Sequence, residues 1–197
     1  MASESAAAAA TQHPFLSPTS QFLMRNGQDV GLSNDFVHKV AHIIQPKYKT
    51  IVTSCDHLKS LPVHFGEEQS IIINTASVAL GQRVGHFACL VVIPQLAQVR
   101  FYDSLNIALS DPNIKKYLEK VLKEHPDFEF QSSPFVTQNS SSSLCGVYSL
   151  SALASVTEAG GQLSMQQFYD KFSRTDLRKN DNICLQYLLD FIVQMKN

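Results

Sequence analysis

Four residues of this chain, His86, Asp103, Gln138 and Cys145, stand in the order that acyl transfer by a thiol requires. Gly85-His86-Phe87 lies at the start of one apolar run and Tyr102-Asp103-Ser104 at the end of the next. Gln138 sits in a polar stretch, and seven positions later Cys145-Gly146 opens an apolar segment of helical period. A thiol attacks a carbonyl as thiolate, so it needs an imidazole nearby and a positive local field. The imidazole needs an acid to hold its tautomer, and the developing oxyanion needs hydrogen-bond donors. A base, an acid, an amide donor and a nucleophile are all present. Asn139, next to Gln138, is a rival for the amide role.

These side chains are far apart in sequence, so the elements between them must bring them together. His86 to Ile93 and Val99 to Asp103 read as strands joined by the short link Pro94–Gln98, a hairpin length. A hairpin sets the start of one strand beside the end of the next, which makes His86 and Asp103 neighbours. From Cys145, the residues Val147, Tyr148, Leu150, Leu153, Ala154 and Val156 recur with helical period, closed by Gly160-Gly161. A cysteine at a helix N-terminus sits in the positive end of the helix dipole.

Around this centre, Ser33 caps a helix with Phe36, Val37, Val40, Ile43 and Ile44, ending before Pro46. Lys49 to Ser54 alternates as a strand, and Pro62 and Gly66 punctuate a loop. Ile71-Ile72-Ile73 reads as a strand buried on both faces. Asp111-Pro112 starts a helix bearing Ile114, Tyr117, Leu118, Val121 and Leu122, stopped at His125-Pro126. Phe128 to Phe130 and Phe135-Val136 are expected as short strands around a Ser132-Ser133-Pro134 turn. Ser164 with Gln167 forms a capping box for a helix from Met165 to Phe172, and Asn182 opens a last helix. Residues 1–20, rich in Ser, Ala and Pro, are expected as a flexible tail before a single domain over 21–197. The sum is an α+β domain, a central sheet flanked by helices.

Composition narrows the function classes. The 197 residues suffice for one well-packed domain, and 44% hydrophobic against 17% charged residues is an ordinary globular balance. Net charge is −1, so there is no broad basic field for nucleic acid. The longest apolar run, around Ala88 to Ile93, is too short to cross a bilayer. Cys55, Cys89, Cys145 and Cys184 show no compact disulfide framework, and the first apolar run lacks the basic residues of a secretory signal. They read as reduced thiols in an intracellular compartment. Cys55-Asp56-His57 cannot converge on one centre, because adjacent side chains point apart. Cys89 falls within a strand and Cys184 within a helix, while His57 and His64 are expected to face solvent. His86 and Cys89 lack a second pair at ligand spacing, so no metal is expected.

The joint pattern resembles the adenovirus endopeptidase (adenain) and its relatives, the SUMO- and NEDD8-specific proteases, which share the order His, Asp or Glu, Gln, Cys. Ile73-Asn74-Thr75 through Gly85-His86-Phe87 is similar to the adenain segment leading to its histidine. Tyr102-Asp103-Ser104 is closer to the SUMO proteases, where aspartate is usual. The Gln138-to-Cys145 interval matches adenain and is one residue longer than is usual in the deconjugases. The resemblance covers about residues 70–160. It implies an α+β fold with a central mixed sheet, papain-like of the adenain type, with the nucleophile at the N-terminus of a central helix. It implies His86 as general base, Asp103 as its orienter, Gln138 as oxyanion donor and Cys145 as nucleophile. It further implies an extended protein or peptide substrate cut after glycine, and a place in the nucleus or a virion.

The expected activity is a cysteine endopeptidase that processes viral or transposon-encoded structural proteins during particle maturation. The alternatives are a deconjugating protease for SUMO, NEDD8 or a related ubiquitin-like modifier, and a non-catalytic binding module. The chain departs from the family in having Phe87 where tryptophan usually follows the histidine, and in having no tryptophan at all. It also has no cysteine between Asp103 and Cys145 to bond an activating peptide. Neither the DNA nor the disulfide-linked peptide that stimulates adenain is therefore expected here, and no cofactor is.

Overall fold

A computed structural model describes residues 32–45, 49–76, 85–158 and 163–195. The expected tail over residues 1–20, the stop at Pro46 and the Gly160-Gly161 closure lie outside the described residues. Ser33 accepts the Phe36 N–H and opens α1 (Asn34–Ile44), whose Val37, Val40, Ala41 and Ile44 are buried. Five strands follow: β1 (Lys49–Ser54), β2 (Gln69–Asn74), β3 (Phe87–Ile93), β4 (Gln98–Tyr102) and β5 (Glu129–Ser132). They form one sheet in chain order. β1 is parallel to β2, β2–β3 and β3–β4 are antiparallel, and β4 is parallel to β5. Between β4 and β5 lies α2 (Pro112–Glu124), and after β5 come α3 (Cys145–Glu158), α4 (Met165–Tyr169) and α5 (Leu177–Gln194).

Every residue of β2 and β3 is buried, as the unbroken β-branched run predicts for strands covered on both faces. Alternation along these strands sorts the core into two layers. Ile72, Cys89, Val91 and Tyr102 face α1, α3 and α5. Ile71, Ile73, Leu90 and Phe101 face α2 through Ile114, Tyr117 and Val121. α3 is buried continuously from Gly146 to Val156, so it is the central helix, covered on all sides rather than along one stripe.

The expected elements occur with three corrections. Phe135-Val136 is not a strand. β5 is a single short strand paired in parallel with β4, and the following chain folds back to Ser104 through its Thr137 and Gln138 N–H groups. The capping box at Ser164 and Gln167 is present, but α4 ends at Tyr169 rather than at Phe172. The last helix starts at Leu177, not Asn182, because Asp176 accepts the Lys179 N–H as its cap. Among the described residues, no helix is long and apolar enough to cross a membrane.

Candidate active site

The hairpin of β3 and β4 brings His86 and Asp103 together. Cys89 pairs with Tyr102, so the register carries Asp103 opposite Ala88 and leaves His86, two residues on, as its diagonal neighbour on the same face. His86 Nε2 lies 2.6 Å from Asp103 Oδ1, and both residues are almost fully buried. The carboxylate is itself held by N–H groups, from Leu105 to Oδ1 at 3.0 Å and from Ala108 to Oδ2 at 2.7 Å. Asp103 N–H donates to Ser133 Oγ at 2.7 Å, and that hydroxyl is hydrogen-bonded to the Tyr169 hydroxyl. Burial alone would raise the Asp103 carboxyl. The His86 hydrogen bond and charge and the two backbone donors outweigh it, so its pKa lies below the usual value.

An ionised carboxylate only accepts, so Nε2 carries the hydrogen of the neutral ring and Nδ1 is its basic nitrogen. Nδ1 is buried and has no formed hydrogen bond among the described residues. Cys145 acts on this imidazole electrostatically, but no hydrogen bond joins the two among the described residues. Burial pulls the His86 pKa down, but the Asp103 hydrogen bond and the charges of Asp103 and Cys145 prevail and lift it from 6.5 to about 9.

Two close approaches fix the residues beside these groups. The turn before His86 is stitched to the end of β2: Thr75 N–H donates to His86 O at 2.8 Å and His86 N–H to Thr75 Oγ1 at 2.8 Å. A side chain at Gly85 would meet Ala76 N and Asn74 Oδ1 at 2.2 Å, so glycine is the residue that fits this crossing. At the other segment, a Cβ on Gly146 would lie 3.2 Å from the Leu32 side chain, which covers the start of α3.

Cys145 is the first residue of α3 and is partly exposed, whereas Cys55, Cys89 and Cys184 are buried. Tyr148 N–H makes the bond to Leu144 O at 3.0 Å, so the earlier N–H groups of the turn have no acceptor within the helix. Gln138 is buried in the preceding loop. Its Oε1 accepts from Ser104 Oγ at 2.6 Å and its Nε2 donates to Ser142 O at 2.8 Å. The Ser142 carbonyl can only accept, which settles the orientation of the amide. Asn139, the rival amide, turns away: its Oδ1 accepts from Ser141 N and Oγ at 3.1 and 3.0 Å.

Sequence reading missed Asn180 and Asp181. Asn180 Nδ2 donates to Thr137 O at 3.0 Å, and Asp181 Oδ1 accepts from Asn139 N–H at 3.3 Å and Tyr148 OH at 3.1 Å. Together they brace the loop that carries Gln138. Placing the helix start at Asn182 left both as loop residues; the Asp176 cap is the signal that puts them inside α5. The arrangement offers an imidazole oriented by a carboxylate, a partly exposed cysteine and the unengaged N–H groups of a helix start, with the Gln138 amide held in the loop before it.

The sequence matches no family model and no curated protein. The fold is shared with solved structures. The effector protein ChlaDUB of Chlamydia abortus superposes with a TM-score of 0.59 at 12% identity, over 83% of this chain and 92% of that one. The ASFV pS273R protease does so in two crystal structures. One gives a TM-score of 0.60 at 12% identity, over 88% of this chain and 70% of that one. The other gives 0.56 at 16% identity, over 86% and 69%. The α+β mixed-sheet fold implied by the family resemblance is thus the fold of this chain.

Proposed function

We propose that this chain is a cysteine endopeptidase with Cys145 as nucleophile, His86 as base, Asp103 as orienter of the imidazole and Gln138 as oxyanion donor. The observation that carries the reading is the 2.6 Å contact of His86 with Asp103, which engages Nε2 and leaves the buried Nδ1 without a partner among the described residues. His86 Nδ1 takes the Sγ proton, and the sulfur bonds to the substrate carbonyl carbon. The electron pair moves to the carbonyl oxygen, facing donors from Gln138 Nε2 and the Cys145 N–H. Collapse of this intermediate expels the amine, which takes the proton from the imidazolium. Water, deprotonated by His86, then hydrolyses the thioester.

The substrate in this reading is an extended protein segment cut after glycine, and the biological event is maturation of structural proteins in a virus or virus-like element. The adenain-like Gln138-to-Cys145 interval and the fold shared with the ASFV protease support it. A second reading, removal of a ubiquitin-like modifier, is favoured by the Tyr102-Asp103-Ser104 pattern.

The nucleophile is tested by iodoacetamide labelling of the folded protein with mapping of the modified thiol. Cys145 is expected to react first. Burial, chiefly, lifts the Cys55 thiol to about 11 and the Cys89 thiol to about 12, and Cys184 is raised as well. Equal labelling of all four thiols would overturn the assignment. Cleavage of glycine-containing structural polyproteins supports the first reading of the substrate. Capture of Cys145 by SUMO or NEDD8 bearing a C-terminal electrophile, without such cleavage, moves the conclusion to the second.

A further inference from the structure

Ser104 follows Asp103 and is almost fully buried beside it. Its hydroxyl donates to Gln138 Oε1 at 2.6 Å, and its carbonyl accepts from Gln138 N–H at 3.1 Å and Thr137 N–H at 2.9 Å. On its far side the same amide donates to Ser142 O at 2.8 Å. Gln138 is therefore gripped at both ends, with one amide hydrogen engaged and the other without an acceptor among the described residues. The adjacent residue Asp103 grips His86 at 2.6 Å. One dipeptide at the end of β4 thus sets the positions of the imidazole and of the amide together.

We propose that Ser104 is a positioning residue for catalysis, holding and polarising the Gln138 amide so that its free N–H meets the oxyanion. A hydroxyl donating to Oε1 draws electron density toward that oxygen and makes the amide N–H a stronger donor, as in other hydrogen-bonded chains. Without it, Oε1 is buried with no donor, and the side chain leaves its place to find one. The proposal rests on Cys145 being the nucleophile, and it assigns Ser104 no contact with substrate.

Two reagents separate this role from a structural one. Acylation of Cys145 by p-nitrophenyl acetate, read as the burst of nitrophenolate, passes through an oxyanion. Alkylation by iodoacetamide does not, but it still needs the thiol, His86 and the fold. Ser104→Ala is expected to slow acylation by about 10- to 100-fold, up to the loss typical of a missing oxyanion donor, while alkylation stays within about twofold. Gln138→Ala is expected to behave alike, and the double variant to acylate no more slowly than Gln138→Ala alone, as for groups acting as a unit. Ser104→Thr, which keeps the hydroxyl, is expected to retain acylation, and it carries the comparison if the alanine variant does not fold. Acylation at the wild-type rate in folded Ser104→Ala, equal losses with both reagents, or loss of acylation in folded Ser104→Thr each overturn the proposal. A wild-type Cys145 that reacts with neither reagent faster than Cys55 overturns the nucleophile assignment, and this inference with it.

Discussion

Asp103 carries more of this site than any other side chain: one carboxylate accepts from His86 and from the N–H groups of Leu105 and Ala108. Its pairing with His86 gives stability a defined pH window. The imidazole is raised from 6.5 to about 9, so its contribution is complete below 6.5 and is lost as pH rises through about 9. The carboxyl is lowered from 3.8, so its contribution is present above 3.8 and is lost as pH falls through the lower folded value. The stability gap between wild type and Asp103→Asn is therefore expected to be widest between pH 3.8 and 6.5 and to narrow as pH climbs past about 9. Urea titrations of both proteins at pH 5.5, 7.5 and 10 check this (roughly one unit below, one above and well beyond the ordinary imidazole value). A gap that widens toward high pH contradicts the pairing.

The elements that matter most are the ends of β2 and β3, where Asn74, Thr75 and Ala76 lie against Gly85 and His86. Asn74 Oδ1 accepts the Ala76 N–H at 2.9 Å, and its Nδ2 donates to Asn34 Oδ1 at 2.8 Å, so this crossing also ties α1 to the sheet. A methyl on Gly85 would meet main chain, which cannot swing aside as a long side chain can. Gly85→Ala is expected to destabilise by about 1–3 kcal/mol or more, as overpacking does. Because His86 is the next residue, it is also expected to slow Cys145 alkylation near neutral pH. Denaturation midpoints and alkylation rates measured on the same preparation check both effects. A variant with wild-type stability would show that the crossing is looser than its contacts imply.

Across the whole molecule, α3 joins Cys145, the proposed nucleophile, to the larger of the two cores. Leu153 on this helix is fully buried among residues that include Val91, Cys184 and Leu188. Leu153→Ala is expected to cost about 2–5 kcal/mol, by lost burial and the cavity left behind. The urea midpoint should fall with little change in slope if the sheet and helices unfold together. A clear fall in slope would mean that the two core layers unfold separately.

Much of this was legible in sequence because it is local. Ser33 and Asp111 name their helices through capping geometry within three residues. Ile71-Ile72-Ile73 declares a strand covered on both sides, and the short Pro94–Gln98 link makes neighbours of His86 and Asp103. Segments whose partners are distant are not legible in this way, for the same physical reason. Nothing near Phe135 says that the chain folds back to Ser104 rather than pairing as a strand. Nothing near Gln138 says that its amide lies between Ser104 and Ser142 while Asn139 turns aside. The brace from Asp181 to Asn139 spans 42 residues. Cap and strand preferences act over a few residues, so the sequence by itself determined the elements and the roster of reactive groups. Contacts between remote segments form only when the core closes, so tertiary structure alone decided that His86 turns Nε2 to Asp103 and that Gln138, not Asn139, is clasped between Ser104 and Ser142.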